Sequence, residues 1–304
     1  MKILVTGGAG YKGVKLVAKL LSKGYDVTLL DNFMYGFEPI LHLVENKKLT
    51  VLKQDIRNKI DKISRYDVIF HLAGLSGFPA CSANPASAQL INVDATKSLS
   101  DSLSKDQLII YASTTSFYGK SGKACNEQTP IDPVSHYGRT KYMAEKILAE
   151  KDNYISLRFA TVFGFSPKMR MDLMVNDFAF KALKEGVVVL FDGYAKRTFI
   201  HIDDAVDAYI FAMENRDKMK GEVFNVGGDH LNFSKLEIAQ AIQKHIDFKI
   251  IDSDVKDKDV RHFIVCYEKI KKMGFIPQKS LDDGIKELLR IFKFYEYYLH
   301  YKII

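Results

Sequence analysis

Tyr137 and Lys141 lie four residues apart in Tyr137-Gly138-Arg139-Thr140-Lys141, a spacing that puts both side chains on one face of a helix. A phenol titrates near about 10 and is a poor base at neutral pH. A neighbouring ammonium favours the phenolate. So assisted, Tyr137 can take the proton of an alcohol while a hydride leaves the same carbon. The spacing alone carries little, since such pairs arise by chance on helix surfaces. The chemistry also needs a hydride acceptor beside the pair.

Gly7-Gly8-Ala9-Gly10-Tyr11-Lys12-Gly13 offers a site for one. It satisfies G-x-G-x-x-G through Gly8, Gly10 and Gly13, and the wider G-x-x-G-x-x-G through Gly7, Gly10 and Gly13. One glycine allows the tight turn, one lets backbone approach a pyrophosphate, and one lets helix pack on strand. The helix that follows presents free N–H groups and the positive end of its dipole to the phosphates. Tyr11 and Lys12 sit within this loop. Lys12 is unusual there, where an aliphatic residue is common, and it either lies near the phosphates or points to solvent. Asp31, followed by Asn32, ends the next strand. An acid at that place hydrogen-bonds the adenosine ribose and repels a 2′-phosphate, which favours NAD over NADP. The plainer alternative is an ordinary turn with Asp31 as a helix cap.

The elements that must position these groups alternate. Strands are expected at Lys2–Thr6, Asp26–Leu30, Thr50–Lys53, Val68–His71, Leu108–Ala112 and Tyr154–Phe159. Helices are expected at Gly13–Lys23, Pro39–Asn46, Ala86–Ser104 and Tyr137–Lys151. Such alternation implies an α/β fold: a Rossmann doubly wound parallel sheet with helices on both faces. After about residue 165 the pattern loosens. Helices read at Leu173–Glu185, Asp203–Asn215, Lys235–His245, Tyr267–Met273 and Leu281–Phe294. Strands read at Val187–Phe191, Val223–Val226 and Lys249–Ile251. The expected division is a cofactor domain over 1–165, with 196–226 returning to it. A smaller mixed α/β lobe, over 166–195 and 227–304, would bind substrate.

Composition narrows the class. The chain has 304 residues, 47% of them hydrophobic, enough to bury a full core. No basic leader with an apolar core opens it, and no apolar stretch is long enough to span a membrane. Cys81, Cys125 and Cys266 are odd in number and far apart, with no metal-type spacing and no disulfide framework. A cytoplasmic protein with no metal is expected. Cys81 lacks the His/Asp partners of a nucleophile. The net charge of +7 reads as a solvated Lys-rich surface or as steering of an anionic substrate. No nucleic-acid module is present.

Taken together, Thr6–Gly13, Asp31-Asn32, Asp55-Ile56-Arg57, His71-Leu72-Ala73-Gly74, Tyr111–Gly119, Tyr137–Lys141, Arg158–Gly164 and Arg197–Asp204 resemble the extended short-chain dehydrogenase/reductases, in the NAD-dependent nucleotide-sugar epimerase/dehydratase group. The resemblance spans nearly the whole chain. It implies that Asp55 and Ile56 flank the adenine, and that Leu72, Ala73 and Gly74 line the cofactor. It implies that Thr114 shares the substrate hydroxyl with Tyr137, and that Lys141 also holds the nicotinamide ribose. The alternative for Thr114 is a strand-end hydroxyl satisfied by backbone. On the substrate side it implies Arg197 on the diphosphate and Leu173 nearby, with Lys256 or Arg261 reaching the nucleotide. Asp172 stands where related enzymes often place Asn, and would not itself favour an anion. His201 reads as structural.

The implied activity is NAD-dependent redox chemistry at C4 of a nucleotide-activated sugar, as a 4-epimerase. The alternatives are a net C4 dehydrogenase or 4-ketoreductase on a nucleotide hexose or heptose, and a non-catalytic NAD-binding scaffold. A 4,6-dehydratase is disfavoured, because Thr115 and Ser116 occupy the places of its acid and base. The expected partners are a nucleotide-diphosphate sugar and a second copy in a homodimer, with no nucleic acid and no membrane.

Overall fold

Ile3-Leu4-Val5 forms the buried centre of the first strand, and this apolar, β-branched character recurs along the sheet. The structure, a computed structural model, describes residues 1–255 and 261–296. In chain order the first elements are β1 (Lys2–Thr6), α1 (Tyr11–Ser22), β2 (Asp26–Asp31), β3 (Leu49–Lys53), β4 (Val68–His71), α2 (Phe78–Ala83), α3 (Pro85–Ala88), α4 (Ala95–Asp101) and β5 (Leu108–Thr114). There follow β6 (Lys120–Cys125), α5 (His136–Leu148), β7 (Tyr154–Phe159), β8 (Thr161–Phe163), α6 (Met174–Lys184), β9 (Val187–Phe191), β10 (Lys196–His201), α7 (Ile202–Glu214) and α8 (Arg216–Met219). The last are β11 (Glu222–Val226), β12 (Asn232–Ser234), α9 (Lys235–Gln243), β13 (Lys249–Ser253), β14 (His262–Val265), α10 (Glu268–Lys272) and α11 (Leu281–Phe292).

Seven strands form one sheet in the order β11-β7-β5-β4-β1-β2-β3, every pair parallel. β4, β5 and β7 are buried along their whole length, as parallel strands covered on both faces must be. Val14 and Val17 of α1 pack with Ala205 and Val206 of α7 on one face; Leu99 of α4 and Leu148 of α5 pack on the other. A further core gathers Val175 and Phe178 of α6, Ile238 of α9, and Ile285, Leu288 and Phe292 of α11 around Val188 and Leu190 of β9. Short strands dress this part: β12-β10-β8, β13-β9 and β14-β6.

Three sequence expectations change. The single helix Ala86–Ser104 is broken into α3, a π-helical turn at Gln89–Asp94, and α4. Asn84 caps α3, its side chain accepting from Ser87 N, with Pro85 following. The helix at Pro39–Asn46 is a 3₁₀ turn over Glu38–Leu43, because Asn46 already accepts from Lys48 N in the next turn. Gly77–Cys81, read as a loop, runs into the short helix α2.

Candidate active site

One cavity opens where the strands of the large sheet end. Gly7 follows β1, Asp31 ends β2, Leu72 follows β4, Thr114 ends β5, and Ala160 follows β7; all five line it. The break in strand order between β1 and β4 opens the crevice there. Gly7, Gly10, Tyr11, Lys12, Gly13, Asp31, Asn32, Asp55, Ile56, Leu72, Ala73 and Gly74 line the cavity together with Thr114, Tyr137, Lys141, Leu173 and Arg261. Arg197 does not. It is buried in β10 and donates from Nη1 to the Lys196 carbonyl. Lys256 lies outside the described residues.

The glycine loop is a tight cradle. Gly7 has φ +70°, and a Cβ there would come within 2.7 Å of Ala73 N. A Cβ on Gly13 would meet the Gly7 carbonyl at 2.2 Å. Gly8 packs on Leu29 instead of facing the cavity. No acid stands in the first turn of α1, so the helix N-terminus is open to an anion. Asp31 accepts from Ala9 N at 3.1 Å and Phe33 N at 2.9 Å, which fixes its carboxylate beside the loop. Burial pushes that carboxyl above the usual range. Asp55, gripped by Arg57 through Nε and Nη2, is held down at about 2. A loop only glycine can follow, an open helix end and a fixed acid at β2 fit an adenine dinucleotide.

The two middle residues of the loop turn inward. The Tyr11 hydroxyl donates to the Gly164 carbonyl at 2.7 Å and accepts from Asn176 Nδ2 at 3.4 Å. Lys12 Nζ lies 4.2 Å from the Phe159 ring centroid and 5.5 Å from that of Tyr209. Of the two positions first read for Lys12, this placement departs from open solvent: the side chain lies in the cavity against two rings.

Tyr137 and Lys141 ride on α5, one turn apart. Ser135 caps the helix, accepting from Gly138 N at 3.0 Å. Glu145, one turn further on, accepts from Ser113 Oγ at 2.6 Å and Ser156 Oγ at 2.8 Å and pairs with Arg158 at 2.6 Å. α5 is thereby tied to β5 and β7. The hydroxyls of Ser76 and Thr114 lie in the same cavity as the Tyr137 phenol and act on it. Burial pushes the phenol up, while those two hydroxyls and the field of Arg170 pull it down. Lys141 is pushed down to about 7 by burial, its Nζ 4.1 Å from the Tyr111 ring centroid. The ammonium expected to lower Tyr137 is therefore itself disfavoured by desolvation, and Arg170 supplies the cationic field on the phenol.

Thr114 caps the 3₁₀ turn at Thr115–Tyr118, accepting from Ser116 N at 3.1 Å, as the alternative reading of it expects, and it lines the cavity with Tyr137. Thr115 is buried and donates to the Phe159 carbonyl at 3.2 Å; Ser116 Oγ accepts from Arg261 Nη1 at 2.7 Å. Neither can serve as an acid or base.

Ser76 and Arg170 were not singled out from sequence. The Arg170 guanidinium grips Asp172 through Nε at 3.1 Å and Nη2 at 2.6 Å, and donates to Ser76 from Nη1 at 3.0 Å. This explains the Asp where an Asn was expected: its charge is spent on Arg170. A signal existed. In Lys168-Met169-Arg170-Met171-Asp172 charged and apolar residues alternate, the extended pattern that sends the two kinds of side chain to opposite sides. His201 is structural as expected. It accepts from Asp203 N at the start of α7 and meets Glu287 at 3.0 Å.

A family model described as the NAD dependent epimerase/dehydratase family matches residues 3–227. A putative UDP-glucose 4-epimerase of Methanocaldococcus jannaschii is 29% identical over 308 residues, covering 96% of this chain and 98% of that one. The CDP-paratose 2-epimerase of Salmonella typhi is 29% identical over 331 residues, covering 95% and 98%. Among solved structures, the UDP-glucuronic acid 4-epimerase of Bacillus cereus, in complex with UDP-glucuronic acid and NAD, superposes with a TM-score of 0.83 at 26% identity. That match covers 96% of this chain and 99% of that one.

Proposed function

The chain belongs to the NAD-dependent epimerase/dehydratase family, and from this premise we propose that it inverts C4 of a sugar carried on a nucleoside diphosphate. The observation that carries the reading is that Tyr137, Thr114 and Lys141 line one cavity together with the glycine loop, Lys141 one helical turn from Tyr137. Gly7–Gly13 and Asp31 would hold NAD, with Asp55, Ile56 and Leu72–Gly74 along its length. When bound, NAD takes up a hydride and gives it back. Tyr137 accepts the proton of the C4 hydroxyl and later returns it. Thr114 shares that hydroxyl and orients it. Arg170 supplies the positive field on the phenol, and Lys141 would hold the nicotinamide ribose. Leu173 and Arg261 stand on the substrate side, and the buried Arg170 beside Tyr137 adds to the positive field that an anionic sugar nucleotide meets. The second core, drawn from 163–199, 231–242 and 281–292, supports a substrate lobe beside the dinucleotide-binding sheet, whereas Phe263, Val265, Tyr267, Ile270 and Phe275 pack into the core of that sheet.

Redox-neutral epimerisation needs only Thr114, Tyr137 and Lys141, and nothing at 115 or 116 adds an acid or base. Purified protein, free of added cofactor, is given UDP-glucose, UDP-glucuronic acid and other nucleotide sugars. Conversion to the C4 epimer with no lasting rise in NADH absorbance supports the reading. A lasting rise assigns a net dehydrogenase instead.

We place the protein in the cytoplasm as a homodimer. Sedimentation velocity checks it: a monomer at micromolar concentration rejects the dimer. No helix among the described residues is long and apolar enough to cross a membrane.

A further inference from the structure

Lys12 is a cation that the glycine loop does not need for phosphates, since backbone N–H groups and the end of α1 already face them. Its side chain goes elsewhere. Nζ lies against the faces of Phe159, at the end of β7, and Tyr209, on α7. Aromatic faces hold an ammonium away from water by attraction to its charge. Among the described residues no carboxylate pairs with Lys12. The charges acting on it are Lys141, from α5, and Arg170, from the segment before α6, and both repel it. Lys12, Lys141 and Arg170 all line the cavity that holds Tyr137. A third cation therefore stands where a nicotinamide and a sugar must meet.

The oxidised and reduced cofactors share their phosphates and differ by one hydride. They therefore differ by one unit of charge, carried on the nicotinamide. A cation at the phosphates strengthens both forms alike; a cation at the ring separates them. Resting on the NAD reading above, we propose that Lys12 biases the site toward reduced cofactor. Its ammonium disfavours the cationic oxidised ring against the neutral reduced one.

The charges balance during transfer. The sugar carbon loses a hydride and its hydroxyl proton goes to Tyr137. The cofactor gains that hydride and loses its positive charge, and Lys12 keeps its proton throughout. The consequence is a larger share of enzyme with the sugar in its oxidised, keto form, which is the form that must turn over before the hydride returns. Burial pulls Lys12 down to about 7, so the bias operates on the acid side of that value.

Calorimetric titration with NAD and with NADH, on the acid side of that value, tests the assignment in wild type, Lys12→Met, Lys12→Gln and Lys12→Arg. In both neutral variants the ratio of the NAD to the NADH dissociation constant falls roughly tenfold, as expected for removing one nearby charge from a partly desolvated site. Lys12→Arg keeps the wild-type ratio. Two neutral side chains, one apolar and one polar, guard against a variant that fails to fold. Equal weakening of both cofactors makes Lys12 a phosphate contact and overturns the proposal, as does an unchanged ratio. If wild type binds neither cofactor, the NAD reading falls and the proposal with it. If it binds both and the ratio does not move, only the role of Lys12 falls.

Discussion

Burial pushes the Tyr137 phenol away from the charged form its chemistry needs, and Ser76, Thr114 and Arg170 act against that push. Tyr137→Phe keeps the ring and the packing but removes the proton acceptor. Its turnover on a nucleotide sugar should fall by roughly 10²–10⁴ with NAD binding kept, the range for a lost general base. A variant that turns over normally would remove Tyr137 from the mechanism; a scaffold would lose nothing at all. The buried lysines make a second statement at this scale. Lys12 and Lys141 titrate at about 7 in the folded chain against 10.5 for an ordinary lysine. Between those values the unfolded chain binds more protons, so stability rises with pH; below about 7 both states carry them and the cost of burial is fully present. Lys168, lowered to about 8, acts in the same direction. The Cys81 thiol, raised from 9.0 to about 11, opposes the slope above its ordinary value without cancelling three lysines. Cofactor-free protein should therefore melt at higher temperature at pH 9 than at pH 7. Lys12→Met should remove roughly a third of that climb, one of three lysines. A wild-type melting curve flat over this range would mean that burial does not discharge them.

The helix that carries Tyr137 and Lys141 was legible because capping, apolar period and chemistry coincide within a dozen residues. What locks it was not legible. Ser113, Ser156 and Arg158 reach Glu145 from two strands, across separations that no local pattern records. Asn92 is another such lock. Its side chain clasps both backbone groups of Leu75 and donates to Thr140 of α5, at the π-helical turn where a continuous helix had been expected. Breaking a buried ion pair from one side leaves the other charge uncompensated. Glu145→Gln should cost about 3–5 kcal/mol in urea unfolding, through Arg158 stranded at 2.6 Å from its lost partner. A loss under about 1 kcal/mol would class the pair with exposed salt bridges and dissociate it from the placement of α5.

At the scale of the molecule, the seven-stranded sheet could be read because its strands are short β-branched and apolar stretches set between helical patterns. β6, β8, β10, β12 and β14 could not. β8 and β12 have three residues each, β6 and β10 carry charged residues among the apolar ones, and several pair far along the chain, as where His262 of β14 pairs with Lys120 of β6. Arg197 was misplaced for the same reason: its motif was visible, but the strand that buries it was not. Tyr11 joins the two regions. It belongs to the glycine loop, yet its hydroxyl bonds the Gly164 carbonyl and Asn176 of α6, and its own carbonyl accepts from Ser166 Oγ at 2.7 Å. Any tightening of the loop on a dinucleotide is thus transmitted to the walls of the proposed substrate lobe. Tyr11→Phe removes that hydroxyl and leaves the Gly164 carbonyl a buried acceptor short of its donor, a cost of about 1–3 kcal/mol. The informative measurement is coupling, not stability. The affinity for UDP is measured by calorimetry with and without saturating NAD, in wild type and in Tyr11→Phe. Wild type should bind UDP more tightly when NAD is present, and the variant should lose most of that difference, since a coupling free energy needs a physical element that both sites bias. A variant that is less stable but equally coupled would make Tyr11 a packing residue alone, and the two sites would then communicate by another route or through direct contact of their ligands.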